Sequence, residues 1–167
     1  MSLNVLFIGG TGTISSACVQ RAVERGMQLC LLNRGQSRRS VPPGVEILRG
    51  DIRNKDAVQK ALGSRMFDAV VEWIAFTPDH IEVDLELFRG RTSQYVFISS
   101  ASVYQTPPAS LPVTESTPLR NPFWAYSRAK IACEDRLIKA YREENFPITI
   151  VRPSHTYDRT LFPMHGQ

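Results

Sequence analysis

Six short apolar runs, at residues 5–8, 29–32, 45–48, 69–73, 95–98 and 148–151, recur along the chain with little alternation of apolar and polar positions inside them. A strand with one wet face alternates, whereas a run that is apolar throughout must be covered on both faces, as parallel strands are. The segments between the runs carry helical spacing. Ile14, Ala17, Cys18, Ala22 and Val23 form one stripe that ends at Gly26, a natural helix stop. Asn54 can cap a second helix over 55–62, closed by Gly63; a third, 80–88, follows Thr77-Pro78-Asp79; a long fourth spans 123–144. Strands and helices in alternation imply right-handed crossovers, and so helices on both faces of one parallel sheet.

The chain has 167 residues, 43% hydrophobic and 22% charged, enough for one domain with a real core and too apolar for long disorder. We expect one domain over 1–167, with no repeat, low-complexity tract or linker. No apolar run nears the roughly 20 residues a membrane span requires, and residues 1–8 lack the basic start of a signal segment. A cytoplasmic protein with no membrane partner is expected. Cys18, Cys30 and Cys133 are scattered, with no C-x-x-C spacing, so they read as reduced core thiols, and no metal site is expected. The net charge of +4 comes from 16 arginines and 4 lysines against 16 acids, an arginine excess that suits phosphate-bearing ligands but is too small to indicate nucleic acid.

Directly behind the first run stands Gly9-Gly10-Thr11-Gly12-Thr13-Ile14-Ser15. Glycine permits a sharp strand-to-helix turn and close approach of backbone N–H groups to a phosphate, at which the following helix points its positive end. Gly9 and Gly12 fill two places of a G-x-x-G-x-x-G spacing, and Ser15 stands in the third. The turn follows the first strand, where a Rossmann-type doubly wound sheet holds its pyrophosphate. A tight turn without a ligand is the alternative.

Two further patterns carry chemistry. Tyr126-Ser127-Arg128-Ala129-Lys130 places a phenol and an ammonium at i and i+4 on one helix face, where the cation should lower the phenol pKa and suit Tyr126 to exchange protons with a hydroxyl or carbonyl. Lys130 can also bind ribose hydroxyls. The fifth apolar run ends in Ser99-Ser100-Ala101-Ser102, hydroxyls at a strand's carboxyl end that can bond a substrate oxygen or cap the next turn. The proline-rich segment 106–122 reads as a surface loop.

Together these residues resemble the extended short-chain dehydrogenase/reductase superfamily, specifically its NAD-dependent epimerase/dehydratase group, with the match in correct order from Val5 to about Tyr157. The resemblance implies a nucleotide loop from Gly9 through Thr11, Gly12, Thr13 and Ile14 to Ser15, and an adenine contact at Asp51 with Ile52. It further implies cofactor contacts at Ala75 and at Pro153, where the chain passes the nicotinamide. Four residues before Tyr104, in the family's S-x-x-x-Y pattern, Ser100 takes the place of the catalytic hydroxyl, and Tyr126 and Lys130 take the Y-x-x-x-K places. Thr114-Glu115 and Arg152-Pro153 match other landmarks. The chain departs from the pattern at Ser15 and at Trp73-Ile74-Ala75, and it has no asparagine between Asn54 and Asn121 for the family's helix-borne catalytic amide. It thus resembles an atypical branch, similar also to a chloroplast RNA-binding relative. Members of the family usually continue into a smaller C-terminal substrate-binding region; we expect that region to be missing here, and this chain alone to bind cofactor weakly at best and to turn over nothing.

The second apolar run ends Asn33-Arg34-Gly35, followed by Arg38 and Arg39, with no carboxylate to bind the adenosine ribose. NADP is favoured over NAD, with Asn33 and Arg34 as contacts, although Arg34 can also stack on adenine without reading a phosphate. The expected function is an NAD(P)-dependent oxidoreductase or epimerase-like enzyme moving hydride on a small hydroxyl or carbonyl substrate, such as a nucleotide sugar. The alternative is a non-catalytic dinucleotide-fold module that senses cofactor or contacts RNA. The family implies a homodimer through the 123–144 helix, whose Ala129, Ala132, Cys133, Arg136 and Ala140 are compatible with close packing.

Overall fold

The computed structural model describes residues 2–158. Its strands are β1 (Asn4–Ile8), β2 (Gln28–Asn33), β3 (Glu46–Arg49), β4 (Ala69–Glu72), β5 (Tyr95–Ile98) and β6 (Ile148–Val151). They form one six-stranded sheet in the order β3-β2-β1-β4-β5-β6, and every pairing is parallel. The order reverses between β1 and β4, so the crevice of this doubly wound sheet opens above their carboxyl ends.

Helices α1 (Thr13–Glu24), α2 (Lys55–Leu62), α3 (Pro78–Phe88) and α4 (Ala125–Glu144) fill the crossovers. Period-2 geometry divides β1 between two cores. Leu6 and Ile8 pack with Val58 and Leu62 of α2, Leu85 and Phe88 of α3, and Cys133 and Leu137 of α4. Val5 and Phe7 face the other way, against Val19 and Ala22 of α1. Both faces are therefore covered, three helices on one side and one on the other. The α1 side grows barer toward β6, where Val151 is 42% exposed.

The helix starts follow local chemistry. The Asn54 side chain accepts the Ala57 N–H at 3.2 Å, and α2 ends at Gly63 with φ +55°. Pro78 opens α3, two residues before the spacing alone suggested, because proline suits a first turn whose N–H groups lack partners. Asn121 accepts from the N–H groups of Phe123 and Trp124 and so prepares the entry to α4, which closes on Asn145 in the left-handed region at φ +53°. No helix among the described residues is long and apolar enough to cross a membrane.

Of the five α4 residues read as compatible with close packing on a second subunit, Ala129 and Ala132 are half-buried. Cys133 and Ala140 are completely buried in the core, and Arg136 is paired with Glu82 and Glu144.

Candidate active site

The turn after β1 is built as the glycines demand. Gly9 and Gly10 have φ of +107° and +99°, and a Cβ on Gly10 would lie 2.7 Å from Leu31 Cδ2. L side chains rarely adopt such angles, and the second position has no space for one. Gly12 precedes the first turn of α1, which carries no acidic residue to compete for an anion. Ser15, in the third glycine's place, is 3% exposed, and its Oγ accepts the Gly12 N–H at 2.8 Å. Its hydroxyl thus completes the helix start and occupies a backbone donor at the phosphate-facing end.

A cleft of 530 Å³ opens beside this turn, lined by Gly9, Thr11, Asn33, Arg34, Asp51, Ile52, Ile74 and Phe76 among others. Asn33 ties its floor together: Oδ1 accepts the Gly35 N–H at 2.8 Å, and Nδ2 reaches the Gly9 carbonyl at 3.5 Å. Asp51 Oδ1 accepts the Arg53 N–H at 3.0 Å, holding the turn after β3 against the opening. Arg34 is exposed at the mouth. Arg39 points elsewhere, pairing with Asp158 at 2.6 Å and donating to Ser16 Oγ at 2.9 Å. Gly12, Thr13 and Ile14 follow at the start of α1 beside the cleft. Ala75 is fully buried, and its neighbours Ile74 and Phe76 present themselves to the cleft instead. Left-handed glycines, free space and an α1 terminus without acids fit a bound dinucleotide at this position.

The second half of the site lies over β4 and β5. Lys130 is 1% exposed, and its Nζ donates to Ala75 O at 2.7 Å and Ile98 O at 2.8 Å. The ammonium also sits 4.5 Å from the Phe97 ring centre and 4.9 Å from that of Phe76. Burial pulls its pKa down to about 8. Ser100 Oγ lies 2.9 Å from Ser102 Oγ, to which the buried Ser127 donates at 2.8 Å. Pro153 stands next to this turn, its carbonyl accepting the Ala101 N–H at 2.8 Å.

The Tyr126 ring is flanked by Trp124, with centres 4.8 Å apart, and by Phe76 at 6.3 Å. Its phenol does not titrate in the expected direction. Burial raises the pKa, and the Ser100 hydroxyl beside it opposes the rise. The reason is the position of Lys130, whose ammonium is 5.9 Å from the Tyr126 ring centre and engaged with two carbonyls.

Several residues in and around the site escaped the sequence reading. Glu134, completely buried, accepts from Arg152 Nη2 at 2.6 Å and Nε at 3.1 Å, and from Ser99 Oγ at 2.5 Å. Arg152 also donates to the Tyr104 hydroxyl at 3.1 Å. Glu134 follows Lys130 by one helical turn, so its inward face could have been read from spacing. His80 lines the cleft, and its Nδ1 accepts the Phe76 N–H at 3.1 Å, leaving Nε2 as the protonated nitrogen of a neutral ring. Among the described residues no cluster of His, Cys, Asp or Glu could hold a metal.

The structure places a glycine turn at the switch point, a cleft beside it, and serine, tyrosine and lysine over β4 and β5. The family model described as "NAD dependent epimerase/dehydratase family" matches residues 5–163. The chain belongs to that family. It is 29% identical over 169 residues to a UDP-glucose 4-epimerase of Lactobacillus helveticus, covering 90% of this chain and 51% of that protein. It is 32% identical over 154 residues to one of Streptomyces lividans, covering 80% and 46%. In fold it is similar to the UDP-glucose 4-epimerase of Bifidobacterium longum, solved in complex with NAD+ and UDP. There the TM-score is 0.74 at 20% identity, over 89% of this chain and 52% of that one. The chain spans about half the length of the curated relatives it matches.

Proposed function

We propose that this chain is the cofactor-binding and catalytic part of an NAD(P)-dependent oxidoreductase of epimerase type, acting by hydride transfer on a hydroxyl or carbonyl carbon. The observation that carries this reading is the meeting of Ser100, Tyr126 and Lys130 at the carboxyl ends of β4 and β5, beside the glycine turn and its cleft. The bound nicotinamide supplies the hydride acceptor and donor. Gly9 to Ile14 would bind its pyrophosphate, and Asp51 and Ile52 would border the adenine. Lys130 has a third N–H beyond the two given to carbonyls, available to a ribose hydroxyl. Ser100 would hold the reacting oxygen while Tyr126 moves its proton. A phenol raised by burial remains protonated at neutral pH, which suits the acid direction, reduction of a carbonyl. A nucleotide sugar is the substrate class we favour, because several relatives are named UDP-glucose 4-epimerases. A homodimer is the assembly we favour, on the family resemblance.

Tyr126→Phe tests the chemistry. Binding of NADP+ to this chain, followed by calorimetry, should change by less than about twofold, because only a hydroxyl is lost. Turnover of UDP-glucose by the natural protein carrying the substitution should fall by about 100-fold or more. Retained turnover would remove Tyr126 from the reaction.

We favour NADP over NAD, because β2 ends at Asn33 and Arg34 without a carboxylate. Arg34→Ala should weaken NADPH by about tenfold and NADH by less than twofold, as one charge-assisted phosphate contact allows. Equal losses for both cofactors would mean that Arg34 stacks on adenine.

A further inference from the structure

Glu72 and Asp84 are completely buried side chains on β4 and α3, and each keeps one carboxyl oxygen, Glu72 Oε2 and Asp84 Oδ1, without a partner. Their other oxygens are engaged: Glu72 Oε1 accepts the Ile74 N–H, and Asp84 Oδ2 accepts the Tyr95 hydroxyl at 2.7 Å. The two carboxyls lie close enough to act on each other, although no hydrogen bond joins them without an added proton. Two carboxylates cannot hydrogen-bond to each other, and closing two anions into a core is costly. One proton between them gives both orphan oxygens a partner.

This pair stands behind a segment that serves both halves of the site. The Ile74 peptide is held from both ends, its N–H by Glu72 and its carbonyl by Arg53 Nη2 at 2.7 Å. The Ile74 side chain lines the cleft, and the next carbonyl, of Ala75, is one of the two acceptors for Lys130. We propose that Glu72 and Asp84 share a single proton and that this acid pair positions the segment leaving β4, so that the cleft wall at Ile74 and the Lys130 anchor at Ala75 loosen when the proton leaves.

The neighbouring charges agree. Burial, and then the charge of Asp84, push Glu72 well above the ordinary carboxylate range, and burial raises Asp84 to about 6. Arg53 opposes both through its field but donates to neither. Tyr95 from β5 is raised by burial and stays protonated, and Cys133 from α4 is pushed up to about 12. The pKa of His80, at the start of α3, is lowered by burial, and Asp79 beside it is exposed. Among the described residues, Lys130 from α4, at about 8, is the one other group facing the pair that changes charge between neutral and mildly alkaline pH. When the shared proton passes to solvent, two adjacent anions remain, Glu72 is repelled, and the Ile74 N–H loses its acceptor.

Glu72→Gln keeps an acceptor for Ile74 and supplies Asp84 with a permanent donor, so it mimics the protonated pair at every pH; Glu72→Ala removes both contacts. The test uses the chain with Trp124→Phe, which leaves Trp73, between Glu72 and Ile74, as the only tryptophan. Trp73 emission and the thermal midpoint are followed without cofactor from about pH 5 to about pH 10. A folded pKa raised above its unfolded value adds stability that is lost as pH rises through the folded titration. The chain that keeps Glu72 should therefore fall behind the Glu72→Gln chain progressively above about pH 5, with a Trp73 emission shift that the substituted chain lacks. Glu72→Ala should be less stable than both across the neutral range. Parallel profiles for the chain with Glu72 and for Glu72→Gln would overturn the proposal.

The link to the cleft rests on the dinucleotide reading. NADP+ affinity should drop by about tenfold across the titration when Glu72 is present and by less than twofold in the Glu72→Gln chain, since one unit of difference in proton affinity between bound and free forms is a tenfold change in binding. Divergent cofactor-free profiles with no NADP+ binding by any variant would leave the acid pair standing and overturn the dinucleotide reading instead. Binding that is equally insensitive to pH in both chains would overturn the link between pair and cleft.

Discussion

Glu134→Ala is expected to cost the fold about 3–5 kcal/mol, nearer the lower figure, and to shift the urea midpoint accordingly. The cost comes from what remains. Glu134 is completely buried, and its two oxygens accept from Arg152 through Nε and Nη2 and from the Ser99 hydroxyl. Its removal leaves a guanidinium whose side chain is 19% exposed, together with a buried serine, without their acceptor. Residual access to water is why the lower figure is favoured. Arg152 would keep its contact with Tyr104, whose hydroxyl it reaches at 3.1 Å and whose ring it overlies at 5.0 Å. Glu134→Gln, which preserves an acceptor for Ser99 but not the charge, should fall between the wild type and alanine. A loss below about 1 kcal/mol for alanine would show that water replaces the carboxylate.

Lys130→Met should lower stability by about 2 kcal/mol at neutral pH, although methionine matches the length of the lysine stem. Two buried carbonyls, of Ala75 and Ile98, lose their donor, and each orphaned acceptor costs about 1–3 kcal/mol. Part is offset, because a charge whose burial depresses its pKa to about 8 is no longer enclosed. The sign with pH follows. The unfolded lysine binds its proton up to its ordinary pKa of about 10.4, whereas the folded one releases it near 8, so wild-type stability gains from this group as pH rises between the two. Methionine lacks that gain, and the gap between the proteins should widen above pH 8. A gap that narrows would mean that Lys130 is held mainly as a cation over the Phe97 and Phe76 rings.

Local rules were sufficient for the elements. The run at 95–98 is β5 with the same limits, and Asn54 and Gly63 bound α2 where the capping residues stand. The site was legible wherever its residues form a local pattern: the glycine turn, the serines after β5, and the tyrosine and lysine one helical turn apart. It was not legible where a side chain's role depends on a distant partner. Glu72 ends the apolar strand β4, a signal that it must be neutralised, but Asp84, the proton-sharing partner we propose, lies on the following helix and Tyr95 on the following strand.

Periodicity, capping and glycine conformation act within a few residues, and so the order of strands and helices, the parallel sheet and the glycine turn could be read from the chain. The charge states could not. Lys130 lies one turn from Tyr126, which by spacing should lower the phenol pKa; instead the Ala75 carbonyl after β4 and the Ile98 carbonyl of β5 capture the ammonium, and burial raises the phenol. Proton affinities depend on desolvation and on partners from other strands, and neither exists until the sheet has closed over them.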